Sequence, residues 1–190
     1  MAEPNPPPIR IKPDRLFWRV LAPRWAHDPL SGEGAAKRGG RFNEPGMNAL
    51  YLSGDLMTAV AEYELDLGHR PGTFCAYEVD VAGVVDLTDA AIQENMGLTL
   101  DILRCPWKRM AWVDDARPPT WDVARGLYDH AYAGVRVRSV PSPENGVNIV
   151  LWRWNDVPER KVVVLDPLDD LPRDRGSWDR GRSRRRGSRT

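Results

Sequence analysis

This sequence of 190 residues is short of the residue types that build metal centres and disulfide scaffolds. It has two cysteines, Cys75 and Cys105, which favours reduced thiols in a cytoplasmic protein over a disulfide framework. The three histidines, at positions 27, 69 and 130, have no metal-ligand spacing with one another or with the cysteines. The sequence therefore predicts a cytoplasmic protein without a metal site.

Long apolar runs are also missing. No segment approaches the roughly 18 apolar residues that a membrane-spanning helix needs. The proline-rich beginning, MAEPNPPPIR, lacks the apolar region of a secretory signal. We therefore expect neither a membrane span nor secretion.

Several common catalytic motifs are absent. There is no phosphate-binding Walker loop, no G-x-G-x-x-G fingerprint and no G-x-S-x-G nucleophile turn. Nothing singles out a hydrolytic set of serine, histidine and an acid. The remaining candidates are arginines in a glycine-rich loop, aromatic residues near them, helical carboxylates and a serine at the end of a strand.

Charge is balanced overall but unevenly distributed. Residues 173–190 contain eight arginines and two aspartates, a net charge of +6, so the preceding 172 residues carry −6. Such a tail is typical of a disordered, solvated segment. The alternative is a non-enzymatic module that uses the tail to bind nucleic acid. Its single aromatic residue, Trp178, provides no series of stacking platforms for single strands.

Hydrophobic periodicity predicts one α+β domain over residues 15–168, between a flexible proline-rich segment (1–14) and the arginine-rich tail (169–190). Strands cluster towards both ends with helices between them, which argues against regular β-α alternation. Predicted strands cover 15–21, 49–52, 73–81 with extension towards 89, 135–139, 147–154 and 160–165. Predicted helices cover 55–67, 90–105 (weakly, broken at Gly97) and 120–132, whereas 22–48 and 108–120 are predicted loops.

The helix predicted from Asp55 bears a possible catalytic carboxylate. Its expected buried stripe consists of Leu56, Val60, Tyr63 and Leu67. Glu62 lies beside that stripe, and helix periodicity alone predicts that it is solvated. In the strand that follows, alternation places Cys75, Tyr77, Val79 and Val81 together in the core.

The glycine-rich stretch at 37–52 has features of a phosphate-binding loop. Arg41 follows Gly39 and Gly40, where the backbone can adopt positive φ and approach a ligand closely. A fixed guanidinium group beside such a turn suits a phosphate or pyrophosphate. The alternative is an ordinary surface loop that leads into a strand.

Three segments together resemble the RES domain family, which is named for an arginine, a glutamate and a serine. They are GGRFNEPGMNALYLS (39–53), AVAEYE (59–64) and PPTWDVARGLYDHAYAGVRVRSVPSPENGVNIVLWRW (118–154). The similarity covers roughly residues 15–168. It implies an ADP-ribosyltransferase-like split mixed sheet with flanking helices that binds NAD and breaks its nicotinamide–ribose bond.

The resemblance also implies site residues. Arg41, Glu62 and Ser139 match the catalytic arginine, glutamate and serine. Arg19 and Tyr51 match positions that line the family's NAD pocket. With Arg41, Phe42 and Asn43 of the same signature, they are the residues expected to bind NAD. In some members an aromatic residue follows the first-strand arginine. Here Val20 stands there, so Phe42 or Tyr51 would have to supply that ring.

The family supplies the toxin of bacterial toxin–antitoxin pairs, so the resemblance implies an Xre-like antitoxin as partner. The ribose carbon could be attacked by inorganic phosphate or water, which would degrade NAD. It could also be attacked by a side chain of a cellular protein, which would become ADP-ribosylated. The sequence leaves these outcomes open.

Overall fold

The computed structural model describes residues 5–142 and 146–176, which form a mixed sheet with helices at its sides. The strands in these ranges are β1 (Ile9–Ile11), β2 (Phe17–Leu21), β3 (Leu50–Ser53), β4 (Thr73–Asp86), β5 (Gly134–Arg138), β6 (Val147–Leu151) and β7 (Arg160–Leu165). The α-helices are α1 (Glu33–Arg38), α2 (Leu56–Leu67), α3 (Ala90–Asn95), α4 (Leu100–Leu103), α5 (Trp107–Trp112) and α6 (Pro119–Asp129). The predicted α+β class is confirmed.

The long strand β4 organises the sheet because it pairs with four other strands. Its first part pairs antiparallel with β2 and its central part pairs antiparallel with β7. Its last part pairs antiparallel with β1 and parallel with β5. Since β2, β3, β6 and β5 are neighbours in that order, the strands lead from one end of β4 back to the other. The sheet therefore curves round on itself and has an inner and an outer face.

A separate hydrophobic core packs against each face of this sheet. The inner core contains Phe17, Leu50, Leu52, Cys75, Tyr77, Val79, Val81, Ile149 and Leu151 among its buried residues. The outer core lies between the sheet and helices α3 and α6 and contains Phe42, Val85, Ile92, Ala124, Leu127, Val135, Val137 and Val150. Successive strand residues alternate between faces, so Tyr51 packs against the outer core while its neighbours lie in the inner one. The predicted burial of Cys75, Tyr77, Val79 and Val81 is confirmed.

Helix α2 has the predicted bounds because both of its ends are capped. The carboxylate of Asp55 accepts a hydrogen bond from Thr58 N at 2.8 Å, which satisfies an amide that the helix leaves unpaired. At the other end Gly68 adopts φ +65°, a conformation that glycine reaches without strain.

The predicted buried stripe of α2 is wrong. Leu56 is 38% exposed, whereas Thr58 and Ala59 are each 2% exposed. Val60 and Tyr63 are half-buried, and the side chain of Leu67 lies outside the described part. Small side chains let the helix approach the sheet closely, and the larger apolar residues lie to either side. This rotation turns Glu62 towards the protein.

Both long loops contain helices that the sequence prediction missed. The segment 22–48 holds a 3-10 turn at Pro23–Trp25 and helix α1, which Gly39 ends with φ +74°. The segment 108–120 contains most of α5, which begins directly after Pro106. Short helices of this kind are stabilised by tertiary contacts, so their own periodicity is weak.

Helix α6 and strand β6 are shorter than predicted. The helix ends at Asp129 and not at residue 132, because Ala131 adopts φ +64°. The predicted strand at 147–154 stops at Leu151. In both cases the predicted end of the element is wrong, and the predicted type of element is confirmed.

The N-terminal segment is more ordered than predicted where the structure describes it. Residues 9–11 form β1, and Tyr132 donates its hydroxyl hydrogen to the Pro6 carbonyl at 2.6 Å. The predicted disorder of 177–190 concerns residues outside the described part. Among the described residues no helix is long and apolar enough to cross a membrane.

Candidate active site

The glycine-rich loop is held rigidly by side chains from three elements. The Tyr51 hydroxyl donates to Asn43 Oδ1 at 2.8 Å and accepts from Phe42 N at 3.1 Å. Two indoles bind the loop's carbonyls: Trp121 Nε1 donates to Gly40 O at 2.7 Å, and Trp152 Nε1 donates to Phe42 O at 2.8 Å. The backbone on both sides of Arg41 is therefore fixed, and the reading of this stretch as an ordinary surface loop does not fit.

Arg41 extends from this loop towards the segment between α4 and α5. Its Nη1 donates to Cys105 O at 2.6 Å and to Leu103 O at 3.4 Å. Burial lowers the pKa of Arg41, and the nearby Cys105, Glu62 and Tyr51 partly oppose that shift. The guanidinium is thus a positioned cation within electrostatic range of the Glu62 carboxylate.

Glu62 is half-buried, and its carboxylate is hydrogen-bonded to two side chains of the sheet. Its Oε1 accepts from Ser139 Oγ at 2.7 Å and from Asn148 Nδ2 at 2.6 Å. The prediction from periodicity that Glu62 is solvated is therefore wrong. The predicted glutamate and serine lie in contact, although 77 positions separate them in the chain.

The two donors to Glu62 are supported by further hydrogen bonds. Ser53 Oγ donates to Asn148 Oδ1 at 2.7 Å, and these residues face each other across β3 and β6. Ser139, which follows β5, accepts a hydrogen bond from Ser142 N at 3.3 Å. Ser53, Ser139 and Asn148 are all buried. The result is a polar cluster on the outer face, next to the outer core.

Phe42 and Asn43 lie at this site but serve the loop itself. The Phe42 side chain is 2% exposed and packs in the outer core. Asn43 is fully buried, and its Nδ2 donates to Ala35 O at 3.0 Å and to Met47 O at 2.9 Å. Tyr51 is half-buried, which leaves part of its ring accessible. Of the residues that could replace the missing aromatic ring, Tyr51 is the better placed.

Arg19 is not brought to this cluster. It shares the inner-facing side of β2 with Phe17, and its strand partner Cys75 belongs to the inner core. Its Nη1 donates to Pro29 O at 3.2 Å and to Ser31 O at 3.1 Å. Burial lowers the pKa of Arg19, with Tyr77 and Cys75 in part opposing the shift. The structure thus separates the two arginines that the sequence grouped in one pocket.

Sequence reasoning missed Asn148, Ser53 and the two tryptophans of the loop. Asn148 carried a usable signal, because it is a polar residue within the otherwise apolar strand VNIVL. A buried amide needs partners, so its presence there indicates a polar neighbour. Trp121 and Trp152 carried no such signal, since an indole that holds a distant carbonyl looks like any core aromatic residue.

The described residues show no other constellation of comparable chemistry. They contain no group of three or more histidine, cysteine, aspartate or glutamate side chains that could hold a metal ion. A groove of about 370 Å³ lies at β1, away from Glu62. Two of its three arginines are already paired, Arg10 with Asp80 and Arg136 with Asp86, and Arg15 lies over the Phe17 ring. The polar cluster around Glu62 is therefore the candidate active site.

The family model of the RES domain matches residues 16–174 of the chain. The chain belongs to the RES domain family. The matched range includes the arginine loop, the α2 glutamate and Ser139, so the RES signature residues all fall inside it. A comparison with curated proteins finds no match.

The fold of the chain also resembles that of a solved structure. The chain is similar to a protein in the crystal structure of the M. tuberculosis MbcT–MbcA toxin–antitoxin complex, with 24% sequence identity and a TM-score of 0.60. The match covers 92% of each chain. At this identity the likeness shows the fold alone.

Proposed function

We propose that this RES-domain protein is the toxin of a toxin–antitoxin pair and that it breaks the nicotinamide–ribose bond of NAD. The observation that carries the proposal is the Glu62 carboxylate, held by Ser139 and Asn148 within electrostatic range of Arg41. A fixed anion beside a fixed cation suits a substrate with a cationic reacting centre and an anionic pyrophosphate.

The chemistry requires one carboxylate. When the C1′–N bond of NAD breaks, its electron pair moves to the pyridinium nitrogen and nicotinamide leaves as a neutral molecule. No acid is needed to protonate the leaving group, so the pair of carboxylates typical of glycosidases is unnecessary. Glu62 would stabilise the positive charge that develops on the ribose and bind its hydroxyl groups.

Arg41 and Tyr51 complete the substrate site. Arg41 keeps donors beyond those given to the carbonyls of Leu103 and Cys105, since a guanidinium has five N–H groups. It would bind the pyrophosphate or an incoming phosphate. The accessible part of the Tyr51 ring would pack on the nicotinamide or its ribose.

The nucleophile decides the product. Attack by inorganic phosphate gives ADP-ribose 1″-phosphate, attack by water gives ADP-ribose, and attack by a protein side chain gives an ADP-ribosylated protein. In each case a new bond to C1′ forms and the nucleophile gives up a proton to solvent or to Glu62. All three reactions consume NAD and would arrest growth.

The proposed partner is an antitoxin protein. The similar structure is a toxin–antitoxin complex, which supports an antitoxin partner for this chain. The resemblance of the sequence to RES toxins further suggests an Xre-like antitoxin. Such a partner would keep the toxin inactive in the cytoplasm until it is removed.

The decisive experiment is NAD turnover by the purified full chain, with and without phosphate and with cell extract. We expect release of nicotinamide in proportion to NAD loss. Dependence on phosphate identifies phosphorolysis, and a mass increase on an extract protein identifies ADP-ribosylation. Absence of nicotinamide under all conditions would contradict the proposal.

Deleting residues 173–190 tests the alternative function. We expect the truncated chain to release nicotinamide at the rate of the full chain, since none of the site residues lies in the tail. A chain that binds nucleic acid only through the tail, and turns over no NAD in either form, would instead be a binding module.

A further inference from the structure

We propose that Asn148 and Ser53 are positioning residues that lock the Glu62 carboxylate with Oε2 directed to the substrate. Ser139 is the second side chain that holds the carboxylate and, in this role, does not contact the sugar. The inference deepens the proposed function and rests on it for the identity of the substrate. It assigns separate tasks to the two oxygens of one carboxylate.

The orientation of the Asn148 amide follows from its two partners. A carboxylate can only accept hydrogen bonds, so the atom 2.6 Å from Glu62 Oε1 must be the amide nitrogen. The amide oxygen then faces Ser53 Oγ at 2.7 Å, and the hydroxyl hydrogen must point to it. The Glu62 carboxylate therefore fixes the orientation of the amide, because a reversed amide would oppose oxygen to oxygen at Glu62. The Ser53 hydroxyl, which can donate or accept, donates to the amide oxygen in this orientation and holds the side chain in place.

Both donors converge on the same carboxylate oxygen. Ser139 Oγ and Asn148 Nδ2 each bind Glu62 Oε1. Among the described residues none donates a hydrogen bond to Oε2. Two donors fix the plane of the carboxylate, and the second oxygen keeps its full capacity to accept. That oxygen is the one available to ribose hydroxyls and to the developing charge.

The support is rigid because it belongs to the sheet. Ser53 and Asn148 are paired residues of β3 and β6, and they are 5% and 8% exposed. Side chains fixed on neighbouring strands hold a geometry better than side chains on loops. Ser139, at the end of β5, is in turn bound by Ser142 N. The carboxylate is thus held from two strands at once.

Turnover separates a positioning role from a purely structural one. Asn148→Asp keeps the shape of the side chain and replaces the donor by an acceptor. We expect kcat for nicotinamide release to fall about 100-fold with little change in KM, because a displaced carboxylate weakens the transition state more than substrate binding. In a Glu62→Gln background the same substitution should cause no further loss.

Ser53→Ala and Ser53→Thr form the second pair. The alanine variant removes the hydroxyl that donates to the amide oxygen, and we expect kcat to fall about tenfold. The threonine variant restores a hydroxyl and should recover most of the activity. Asn155→Asp is the matched control, because Asn155 uses its amide in two hydrogen bonds to Val162, remote from the site. It should leave kcat unchanged.

A second readout does not depend on the reaction. In the purified full chain, the side-chain amide NMR signal of Asn148 should move on Glu62→Ala and on Ser53→Ala but not on Asn155→Asp. If the wild-type chain releases no nicotinamide, the proposed function fails while this signal still decides the positioning. The inference is overturned if the Asn148 signal keeps its position on Glu62→Ala. It is also overturned if the Asn148→Asp variant has the wild-type kcat.

Discussion

Two arginines of this chain make the same kind of contact on opposite faces of the sheet. Arg41 donates to the carbonyls of Leu103 and Cys105, and Arg19 donates to the carbonyls of Pro29 and Ser31. Burial lowers the pKa of both. The carboxylate that acts on the charge of Arg41 is Glu62 of the polar cluster, whereas the one that acts on Arg19 is Asp28.

The comparison shows that burial and cationic character do not by themselves make a functional arginine. Both have a tyrosine, a cysteine and a carboxylate nearby: Tyr77, Cys75 and Asp28 for Arg19, and Cys105, Glu62 and Tyr51 for Arg41. What differs is the carboxylate, because Glu62 is held by Ser139 and Asn148 in the polar cluster of the candidate active site. Mutations at the two positions should therefore have opposite signatures.

Among the variants that test the comparison of the two arginines, Arg41 variants should lose the most activity. Arg41→Met should lower kcat/KM for NAD about 10- to 100-fold, because a hydrogen bond between charged groups contributes about 1.5–3 kcal/mol. Arg41→Lys should recover only part of this loss, since an ammonium cannot reproduce the guanidinium fork. Steady-state kinetics of nicotinamide release measure both. If Arg41→Met has wild-type kinetics, Arg41 does not bind the substrate and its assignment to the site is wrong.

Arg19→Met should act on stability and not on turnover. The half-buried carbonyl of Ser31 loses its donor, and we expect a loss of about 1–3 kcal/mol in the free energy of unfolding. Turnover per folded molecule should stay close to wild type. Chemical denaturation gives the free energy of unfolding, and kinetics on the same sample give the rate of NAD turnover. A loss of NAD turnover without a loss of stability would instead show that Arg19 belongs to the NAD pocket, as the family resemblance implied.

Alanine substitutions at two glycines test whether the backbone of the arginine loop positions Arg41. A Cβ at position 40 would lie 2.5 Å from Asn43 Oδ1 and also against the Tyr51 hydroxyl. Gly40→Ala should therefore cost about 1–3 kcal/mol and displace Arg41, with a matching fall in turnover. Gly34 in α1 has no heavy atom within 4 Å of such a Cβ. Gly34→Ala should leave activity intact and stabilise the chain slightly.

The smallest effect concerns the ion pairs of Glu44 on the same loop. Hydrogen bonds from Arg117 and then Arg125 hold the pKa of Glu44 below its ordinary value. A depressed folded-state pKa means that this stabilisation is present above the ordinary value and is lost as pH falls through the folded one. Glu44→Gln should cost less than about 1 kcal/mol at pH 7.

Denaturation at several pH values tests this sign. The difference in stability between wild type and Glu44→Gln should shrink in the acid range, below the ordinary glutamate pKa. A difference that grows towards acid pH would show that Glu44 stabilises the loop by something other than its charge.

Sequence reasoning found the elements whose signals are local. Helix α2 was predicted at its bounds because Asp55 and Gly68 mark its ends, and β4 was predicted from its alternation. It missed β1, α1 and α5, since short elements depend on the surfaces they pack against. The buried face of α2 was also wrong, because small residues and not the large apolar ones face the sheet.

The candidate site was predicted only in part, because some of its residues meet through strand pairing that the sequence does not show. Glu62 and Ser139 came from the family resemblance, and the structure brings them into hydrogen-bond contact. Periodicity alone would have left Glu62 in solvent. Arg19 was grouped with Arg41 by the family resemblance, which carries positions over without recording what each side chain contacts in this chain. Asn148 and Ser53 are neighbours only through the pairing of β3 with β6.

The most direct measurement compares nicotinamide release from NAD by the wild-type chain, Glu62→Gln and Glu64→Gln. A glutamine at 62 can keep its oxygen against Ser139 and Asn148, so it removes the charge and preserves the support. Glu64, on the same helix, is exposed and serves as the control. We predict a loss of about 100- to 1,000-fold for Glu62→Gln with unchanged stability, and none for Glu64→Gln. Equal release by all three proteins would contradict the assignment of Glu62 as the catalytic carboxylate.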